Sequence, residues 1–293
     1  MTTQKVKKAV IPAAGYGTRF LPVTKAIAKE MFPIINKPAI HLIVEEAVNS
    51  GIEEILIIDS AAKSAIAKYF NRDVEFEQRL LNNGKIKEYN EVVNIGSDVK
   101  ISFVEQKEQL GLGHAVLQAR SFVGEEPFAL LLGDNLYSSS VEPVTKRLIA
   151  EFEKSNHAII GTMWVSNEDV SKFGICDLLD SNEQVTSIIS VVEKPTIEEA
   201  PSNIAIAGRY IFNANIFDYL ENEKRGLGGE IQLTDSISAM LKNEPIDSYL
   251  IKDKRYDIGS RVGFIEAVID FAIEHTDIRD EVINLIKEKN KSF

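Results

Sequence analysis

A glycine-containing turn with several cations follows the first apolar run of the chain, at residues 13–29. Gly15 and Gly17 stand two residues apart, and glycines at this spacing let backbone N–H groups approach a phosphate closely. The same segment carries three cations: Arg19, Lys25 and Lys29. This combination predicts a loop that can hold a polyphosphate. By itself it also fits a tight turn at the end of a strand, followed by exposed lysines.

Two common nucleotide-binding motifs do not match this turn. A P-loop requires Lys and then Ser or Thr after its last glycine, whereas Gly17 is followed by Thr18 and an arginine. The dinucleotide fingerprint requires a third glycine where Phe20 stands. It also requires an acid about 20 residues further on, but the first acid at the end of a strand is Asp59. The turn therefore predicts phosphate binding of another type.

Asp134 lies at the end of the most apolar predicted strand, Phe128–Leu132, separated from it by Gly133. A carboxylate cannot stay charged in a dry core, so we expect it to face a cleft or a cation. Glu193 and Lys194 also follow an apolar run, and from the sequence alone they equally fit a solvated strand end. No Ser/His/Asp or Cys/His arrangement is evident, and the single cysteine, Cys176, is expected to be a small buried hydrophobe.

The elements that must position these residues alternate between strands and helices over residues 8–165. This alternation predicts a doubly wound, mostly parallel α/β sheet, followed by a half richer in strands and then by C-terminal helices. The predicted strands are Lys8–Pro12, Glu54–Ile58, Ile101–Val104, Phe128–Leu132, Ala158–Val165, Ile175–Leu179, Val185–Val192 and Ala205–Phe212. The predicted helices are Pro38–Ser50, Ala61–Phe70, Ala115–Phe122, Glu142–Ser155, Asn213–Leu220, Gln232–Lys242, Arg261–His275 and Arg279–Lys289, with a polar insertion at Asn71–Ser97.

The charge of the chain restricts its partners. The formal net charge is -11, which disfavours an extended nucleic-acid footprint. Residues 1–37 nevertheless hold seven Lys or Arg and one Glu, so this segment suits a small anionic ligand. The single cysteine fits a reducing compartment. No apolar stretch is long enough to cross a bilayer, and we expect a cytoplasmic protein without a membrane segment.

Ala13 to Pro33 resembles the signature of the sugar-nucleotide pyrophosphorylases. Five further matches follow in order along the chain: Gly111-Leu-Gly-His-Ala115, Leu132-Gly-Asp-Asn135, Glu193-Lys-Pro195, Gly229-Glu-Ile-Gln-Leu-Thr-Asp235 and Tyr256-Asp-Ile-Gly259. The form Thr24-Lys-Ala-Ile-x-Lys-Glu-Met31, together with the match at 229–235, is specific to the UTP–glucose branch of that family.

The resemblance implies a Rossmann-like doubly wound mixed sheet of the nucleotide-diphospho-sugar transferase type. It implies a single domain over 1–293, with a nucleotide half at about 1–136, a sugar-phosphate half at about 137–260 and helices at about 261–293. The implied reaction joins UTP and α-D-glucose 1-phosphate into UDP-glucose and pyrophosphate, with Mg²⁺ as cofactor. A homo-oligomer, a dimer or tetramer, is also implied, and the apolar stripe of the C-terminal helices is a candidate interface.

The resemblance also implies roles for individual residues. The catalytic cations are Arg19, Lys29 and Lys194, and the Mg²⁺ ligands are Asp134 and Asp257. The nucleotide-binding residues are Ala13, Ala14, Gly15, Gly17, Thr18, Glu30, Gln106 and Gly111. The residues that bind the sugar phosphate are Asn135, Gly174, Glu193, Lys194, Gly208 and Glu230.

Two departures from the family pattern leave its charges and metal ligands in place. Ala28 stands where proline is usual, which frees the backbone of the basic loop. Phe173 stands where tyrosine is common, which removes one hydroxyl. Two alternatives stay open at this stage. One is a sister enzyme that uses dTTP or another sugar 1-phosphate, and the other is a non-catalytic sensor of nucleotide sugars.

Overall fold

A computed structural model describes residues 4–60, 65–138, 141–223 and 229–291 of the chain. The strands are β1 (Lys8–Pro12), β2 (Pro33–Ile34), β3 (Lys37–Pro38), β4 (Glu54–Asp59), β5 (Lys100–Glu105), β6 (Phe128–Leu131), β7 (Asn135–Ser138), β8 (Ala158–Trp164), β9 (Gly174–Leu178), β10 (Val185–Glu193), β11 (Ile204–Phe212), β12 (Ile246–Leu250) and β13 (Lys254–Asp257). The helices are α1 (Ala39–Asn49), α2 (Ala65–Phe70), α3 (Val74–Asn82), α4 (Ile86–Val93), α5 (Leu112–Leu117), α6 (Arg120–Val123), α7 (Val144–Ser155), α8 (Ile216–Asn222), α9 (Leu233–Met240), α10 (Arg261–Glu274) and α11 (Arg279–Asn290).

Nine of these strands form one sheet, in the order β5-β4-β1-β6-β11-β8-β12-β10-β9. The first four strands run parallel to one another, and β11 is antiparallel to both of its neighbours, β6 and β8. Strand β12 is parallel to β8, and β10 is antiparallel to β12. The predicted mixed α/β class is therefore confirmed.

Strand β1 shows why the sheet is covered on both faces. Its side chains alternate, so Ala9 and Ile11 enter one apolar cluster and Val10 enters the other, all of them fully buried. Ile40 of α1 packs in the first cluster and Leu233 of α9 in the second. A parallel strand that is buried on both faces has a continuous run of apolar residues in its sequence. This run made β1 predictable.

Several predicted elements differ from the structure. The helix predicted over Ala115–Phe122 is two helices, α5 and α6, and the insertion at Asn71–Ser97 forms α3 and α4. The predicted basic loop contains short 3₁₀ turns at Thr18–Phe20, Val23–Lys25 and Lys29–Met31. Residues 61–64, at the start of the predicted helix Ala61–Phe70, lie outside the described residues.

Two short strands that the sequence did not predict bring the acids of the site together. Strand β13 pairs antiparallel with β7, and this register sets Asp257 opposite Asn135, the residue after Asp134. Both strands have only four residues, and β13 carries Lys254 and Arg255, so neither has a clear apolar pattern.

Cys176 is fully buried in β9, and burial raises the pKa of its thiol to about 12, as expected for a small hydrophobe. None of the helices in the described part of the chain has both the length and the apolar character needed to cross a membrane.

Candidate functional site

Two cavities meet beside β1 and β6, on the side where these parallel strands end. The first cavity has a volume of about 460 Å³ and is lined by the glycine turn, Lys29, Glu30, Gln106 and Glu230, among others. The second cavity, of about 990 Å³, is lined by residues from β9, β10, β11 and β13. Asp134 lines both cavities, so a reaction between two ligands would take place beside it. Ligands of α/β folds commonly bind outside the carboxyl ends of the strands.

The glycine turn forms one wall of the first cavity with its backbone. Ala14, Gly15, Gly17 and Thr18 line the cavity. Gly17 has a left-handed backbone (φ 59°), and its carbonyl oxygen accepts a hydrogen bond of 2.8 Å from the hydroxyl of Thr24. This contact ties the turn to the basic segment that follows it.

Ala13 is placed differently from the other predicted residues of the turn. Its backbone N–H donates to the carbonyl oxygen of Ile58 at 2.7 Å, and its side chain is buried in the core. Ala13 therefore joins the turn to strand β4, and it is not among the residues that line the first cavity.

Gln106 lies on the opposite side of the first cavity and is almost completely buried. Its Nε2 donates to the carbonyl oxygen of Gly111 at 3.2 Å and lies 3.0 Å from Nδ1 of His114. On the other side of the His114 ring, Nε2 lies 3.3 Å from the amide of Gln118. These contacts fix the plane of the Gln106 amide and give His114 a hydrogen-bonding position.

Gly111 allows two distant segments to approach each other closely. Its backbone has a φ of 97°, and a Cβ atom there would lie 2.8 Å from Cβ of Glu230 and 2.9 Å from the carbonyl oxygen of Ile231. The backbone of Ile231 also pairs with Leu110 and Gly113. As a result Glu230 lines the first cavity, although the sequence analysis assigned it to the sugar phosphate.

Lys29 and Asp134 form an ion pair where the two cavities meet, with 2.7 Å between Nζ and Oδ2. Burial alone would lower the pKa of Lys29, but the negative charges of Asp134 and Glu30 outweigh this effect and raise it. Burial would likewise raise the pKa of Asp134, yet the neighbouring ammonium of Lys29 holds it below its usual value. Both groups are therefore charged at neutral pH.

Glu30 is the most buried acid of the site, with 1% of its surface exposed. Burial raises the pKa of its carboxyl to about 8, although Lys29, 3.8 Å away, opposes this shift. Its Oε2 has no hydrogen-bond partner among the described residues. A buried carboxyl group of this kind can exchange hydrogen bonds with a hydroxyl group of a ligand.

The carboxylates of Asp134 and Asp257 converge on Gly259. A Cβ atom at Gly259 would lie 2.9 Å from Oδ2 of Asp134 and 2.9 Å from Oδ1 of Asp257, with Nζ of Lys29 3.5 Å away. The backbone N–H of Gly259 donates to Oδ1 of Asp257 at 2.9 Å, and its carbonyl oxygen accepts from Arg19 at 3.3 Å. The absence of a side chain at Gly259 thus keeps open the space between the two carboxylates.

Glu193 and Lys194 lie together at the end of β10 in the second cavity. Nζ of Lys194 lies 2.9 Å from Oε1 of Glu193, and the hydroxyl of Thr234 donates to Oε2 at 2.6 Å. Gly174 makes room for this group, because a Cβ there would lie 3.1 Å from the Thr234 hydroxyl and 3.3 Å from Oε2 of Glu193. Lys194 has a left-handed backbone (φ 44°), which is uncommon for a non-glycine residue.

Asn135 and Gly208 form another part of the second cavity. Gly208 has a φ of 81°, and a Cβ there would lie 2.5 Å from Nδ2 of Asn135. That amide donates to Oδ1 of Asp134 at 3.2 Å, while Oδ1 of Asn135 is buried without a hydrogen-bond partner among the described residues. Asn135 therefore keeps one acceptor beside the second cavity without a partner in the described part of the protein.

The structure adds residues that the sequence analysis did not select. Arg255, Thr234 and Phe173 all line the second cavity. Thr234 lies inside the family motif at 229–235, and Arg255 stands two residues before Asp257. The sequence signal that could have found Arg255 is this spacing, because alternate residues of a strand face the same side.

The described residues contain no group of three His, Cys, Asp or Glu side chains placed to hold a metal ion. Asp134 and Asp257 form a pair of carboxylates beside Gly259, and their expected role as Mg²⁺ ligands stays a prediction.

The model of the nucleotidyl transferase family matches residues 8–272 of the chain. The UTP–glucose-1-phosphate uridylyltransferase of Bacillus subtilis is 45% identical over 280 residues, which cover 96% of each chain. The UTP-bound UGPase from Acinetobacter baumannii has a TM-score of 0.90 at 38% identity, covering 97% of this chain and 99% of its own. A UDP-glucose pyrophosphorylase complexed with UDP-glucose has a TM-score of 0.82 at 39% identity, covering 92% and 100%.

Proposed function

The chain belongs to the nucleotidyl transferase family, and we propose that it forms UDP-glucose and pyrophosphate from UTP and α-D-glucose 1-phosphate. The observation that carries this proposal is that two cavities, each suited to one substrate, meet at Asp134. The uridylyltransferase relative, similar over nearly the whole of both chains, supports the choice of substrates.

The first cavity takes UTP. The backbone of the glycine turn faces the phosphates, and the buried carboxyl of Glu30 faces the ribose. Because Nε2 of Gln106 is already engaged with Gly111 and His114, its amide oxygen is left to accept the N3–H of uracil. Because Glu230 lines this cavity, we reassign it from the sugar-phosphate site to the nucleotide site.

The second cavity takes glucose 1-phosphate. Glu193 and Asn135 offer acceptors to the sugar hydroxyls, and Lys194 offers its ammonium to the phosphate. Gly174 and Gly208 leave space for the sugar ring, because a side chain at either position would press against these polar groups.

We propose Mg²⁺ as the cofactor, held by Asp134 and Asp257. The two residues fit this ion, because both bring a carboxylate oxygen to the same position beside Gly259. Mg²⁺ commonly binds one or two protein carboxylates and completes its shell with phosphate oxygens and waters. The bound ion supplies positive charge to the phosphate oxygens during the transfer.

The reaction requires orientation and charge stabilisation from the protein. An oxygen of the sugar phosphate attacks the α-phosphorus of UTP, and pyrophosphate leaves in line. This oxygen is already anionic near neutral pH, so the protein does not have to remove a proton from it. Lys29 and Arg19 stabilise the negative charge that develops, which is the main contribution of protein groups to phosphoryl and nucleotidyl transfer.

The proposal includes the wider organisation of the chain. We assign about 1–136 to the nucleotide, about 137–260 to the sugar phosphate and about 261–293 to contacts between subunits of a cytoplasmic dimer or tetramer. Exposed apolar side chains on α10 and α11 support the last assignment, since Val262, Ile265 and Leu285 are each more than half exposed.

A substrate panel tests the proposed function. Pyrophosphate release would be measured with UTP or dTTP, and with glucose 1-phosphate or other sugar 1-phosphates, each with and without Mg²⁺. We expect the highest kcat/KM with UTP, glucose 1-phosphate and Mg²⁺. Preference for dTTP or another sugar would support the sister enzyme, and no product even in a single turnover would support a sensor.

A further inference from the structure

Arg255 projects into the second cavity from β13. In this strand Tyr256 points into the core and is 2% exposed, so its two neighbours point the other way, as alternation in a strand requires. Those neighbours are Arg255 and Asp257, and both line the second cavity. The cation of Arg255 therefore lies two residues along the strand from the carboxylate of Asp257, on the same face.

Arg255 makes no direct ion pair with any described residue, although its charge acts through space on Asp134. In the described part of the chain no carboxylate lies within ion-pair distance of its guanidinium group, and its Nε is buried without a hydrogen-bond partner. The group is held over the ring of Phe173, 5.4 Å from the ring centre. By contrast, the fully buried guanidinium of Arg209 makes an ion pair of 2.7 Å with Glu46.

A partly buried cation without a counter-ion is costly unless a ligand supplies the negative charge. Another cation that lines this cavity, the exposed Lys194, already has a partner in Glu193 at 2.9 Å. A guanidinium group can bind two oxygens of one phosphate with parallel hydrogen bonds, and stacking on an aromatic ring holds it in place for this contact. Two cations that line the second cavity, Arg19 and Arg255, therefore have no ion-pair partner among the described residues. Of these two, Arg255 is the one whose Nε is buried without a hydrogen-bond partner, so its guanidinium group is available for an anionic ligand.

We propose that Arg255 binds the phosphate group of the sugar 1-phosphate and is a substrate-binding residue of the second cavity. This inference rests on the proposed function and adds one contact to it. In the reverse reaction the same phosphate is the sugar-linked phosphate of UDP-glucose, so Arg255 contributes to binding in both directions.

The test compares Arg255→Met and Arg255→Lys with the control Lys252→Met, which removes an exposed cation of the same segment. Loss of a hydrogen bond to a charged group typically corresponds to about a 10- to 100-fold change. We therefore expect Arg255→Met to raise the KM for glucose 1-phosphate by that factor and to leave the KM for UTP within about twofold. Arg255→Lys should show a smaller rise, because it keeps the charge without the paired donors. The control should match the wild type.

Competition by inorganic phosphate gives a second measurement that does not depend on the sugar. Phosphate should inhibit the wild type competitively against glucose 1-phosphate, and its inhibition constant should rise about tenfold or more in the variants. If Arg255→Met does not fold, Arg255→Lys still carries this test, because it retains the bulk and charge of the side chain.

The outcomes separate this inference from the proposed function. An active wild type whose variants keep the KM for glucose 1-phosphate would overturn the role of Arg255 alone. A fall in kcat with unchanged KM would also overturn it, because Arg255 would then act only through the charge of Asp134. A wild type that releases no pyrophosphate from UTP and any sugar 1-phosphate would overturn the proposed function as well.

Discussion

The two cavities that meet at Asp134 are built from the chain in different ways. Much of the first comes from one continuous segment, which contributes Pro12, residues 14–18, and then Lys29 and Glu30. The second is assembled from strands distant in sequence, among them β9, β10, β11 and β13. A continuous segment leaves a recognisable motif, whereas an assembled cavity depends on sheet order and register. The first cavity was therefore easier to foresee.

The cavities also differ in how their charges are balanced. Lys29 in the first is paired with Asp134, so its charge is compensated before any ligand binds. The second contains Arg255, which has no ion-pair partner among the described residues. This difference predicts that changes at the junction lower turnover, while changes deep in the second cavity weaken the binding of one substrate.

Asp134→Asn should have the largest effect, because this carboxylate serves both cavities. We expect turnover to fall at least about 100-fold, the scale for losing one key electrostatic group in a reaction centre. Steady-state pyrophosphate release would measure it, with the exposed Asp280→Asn as a matched control. Activity within about threefold of the wild type would exclude a metal-binding role for Asp134.

Lys194→Ala should act on the second cavity alone. We expect the KM for glucose 1-phosphate to rise about 10- to 100-fold, as for the loss of a hydrogen bond between charged groups. The KM for UTP should stay within about twofold. Initial rates with each substrate varied in turn would show this, with the exposed Lys252→Ala as a control. A rise in the KM for UTP alone would contradict the assignment of Lys194 to the sugar phosphate.

The same contrast explains what could be predicted from the sequence. Strand β1 and the turn after it were predictable, because a buried parallel strand and its glycines leave a local signal. Strand β13 was not, because four residues with two cations carry no apolar pattern. The resemblance placed Asp134 and Asp257 in one site, but only the pairing of β7 with β13 shows how they meet. The position of Glu230 depends on a backbone contact with the segment around Gly111, which no spacing in the sequence indicates.

Glu30→Gln tests the charge balance of the first cavity through stability. Burial raises the pKa of Glu30 to about 8 in the folded protein, above its usual value of 4.5. Its protonated form therefore stabilises the fold fully below pH 4.5, and this contribution is lost as the pH rises through about 8. Glutamine cannot ionise, so the variant should gain stability relative to the wild type between pH 5 and 9, by about 1–3 kcal/mol. Urea unfolding of both proteins across this range measures the difference. If the free energies of unfolding of the two proteins changed with pH in parallel, the raised pKa of Glu30 would be contradicted.

Phe173→Leu should have the smallest effect, because it removes only the surface on which Arg255 rests. A cation–π contact at a partly exposed site contributes about 0.5–1 kcal/mol, which corresponds to a two- to fivefold rise in the KM for glucose 1-phosphate. Phe173→Tyr keeps the aromatic ring, so its KM for glucose 1-phosphate should equal that of the wild type. Comparing the two variants therefore isolates the effect of removing the aromatic ring. If Phe173→Leu changed the KM for UTP instead, the aromatic ring would contribute to UTP binding and not to the binding of glucose 1-phosphate. An effect of Phe173→Leu that persists in an Arg255→Met background would mean that the ring contacts the sugar directly and does not act by holding the guanidinium group.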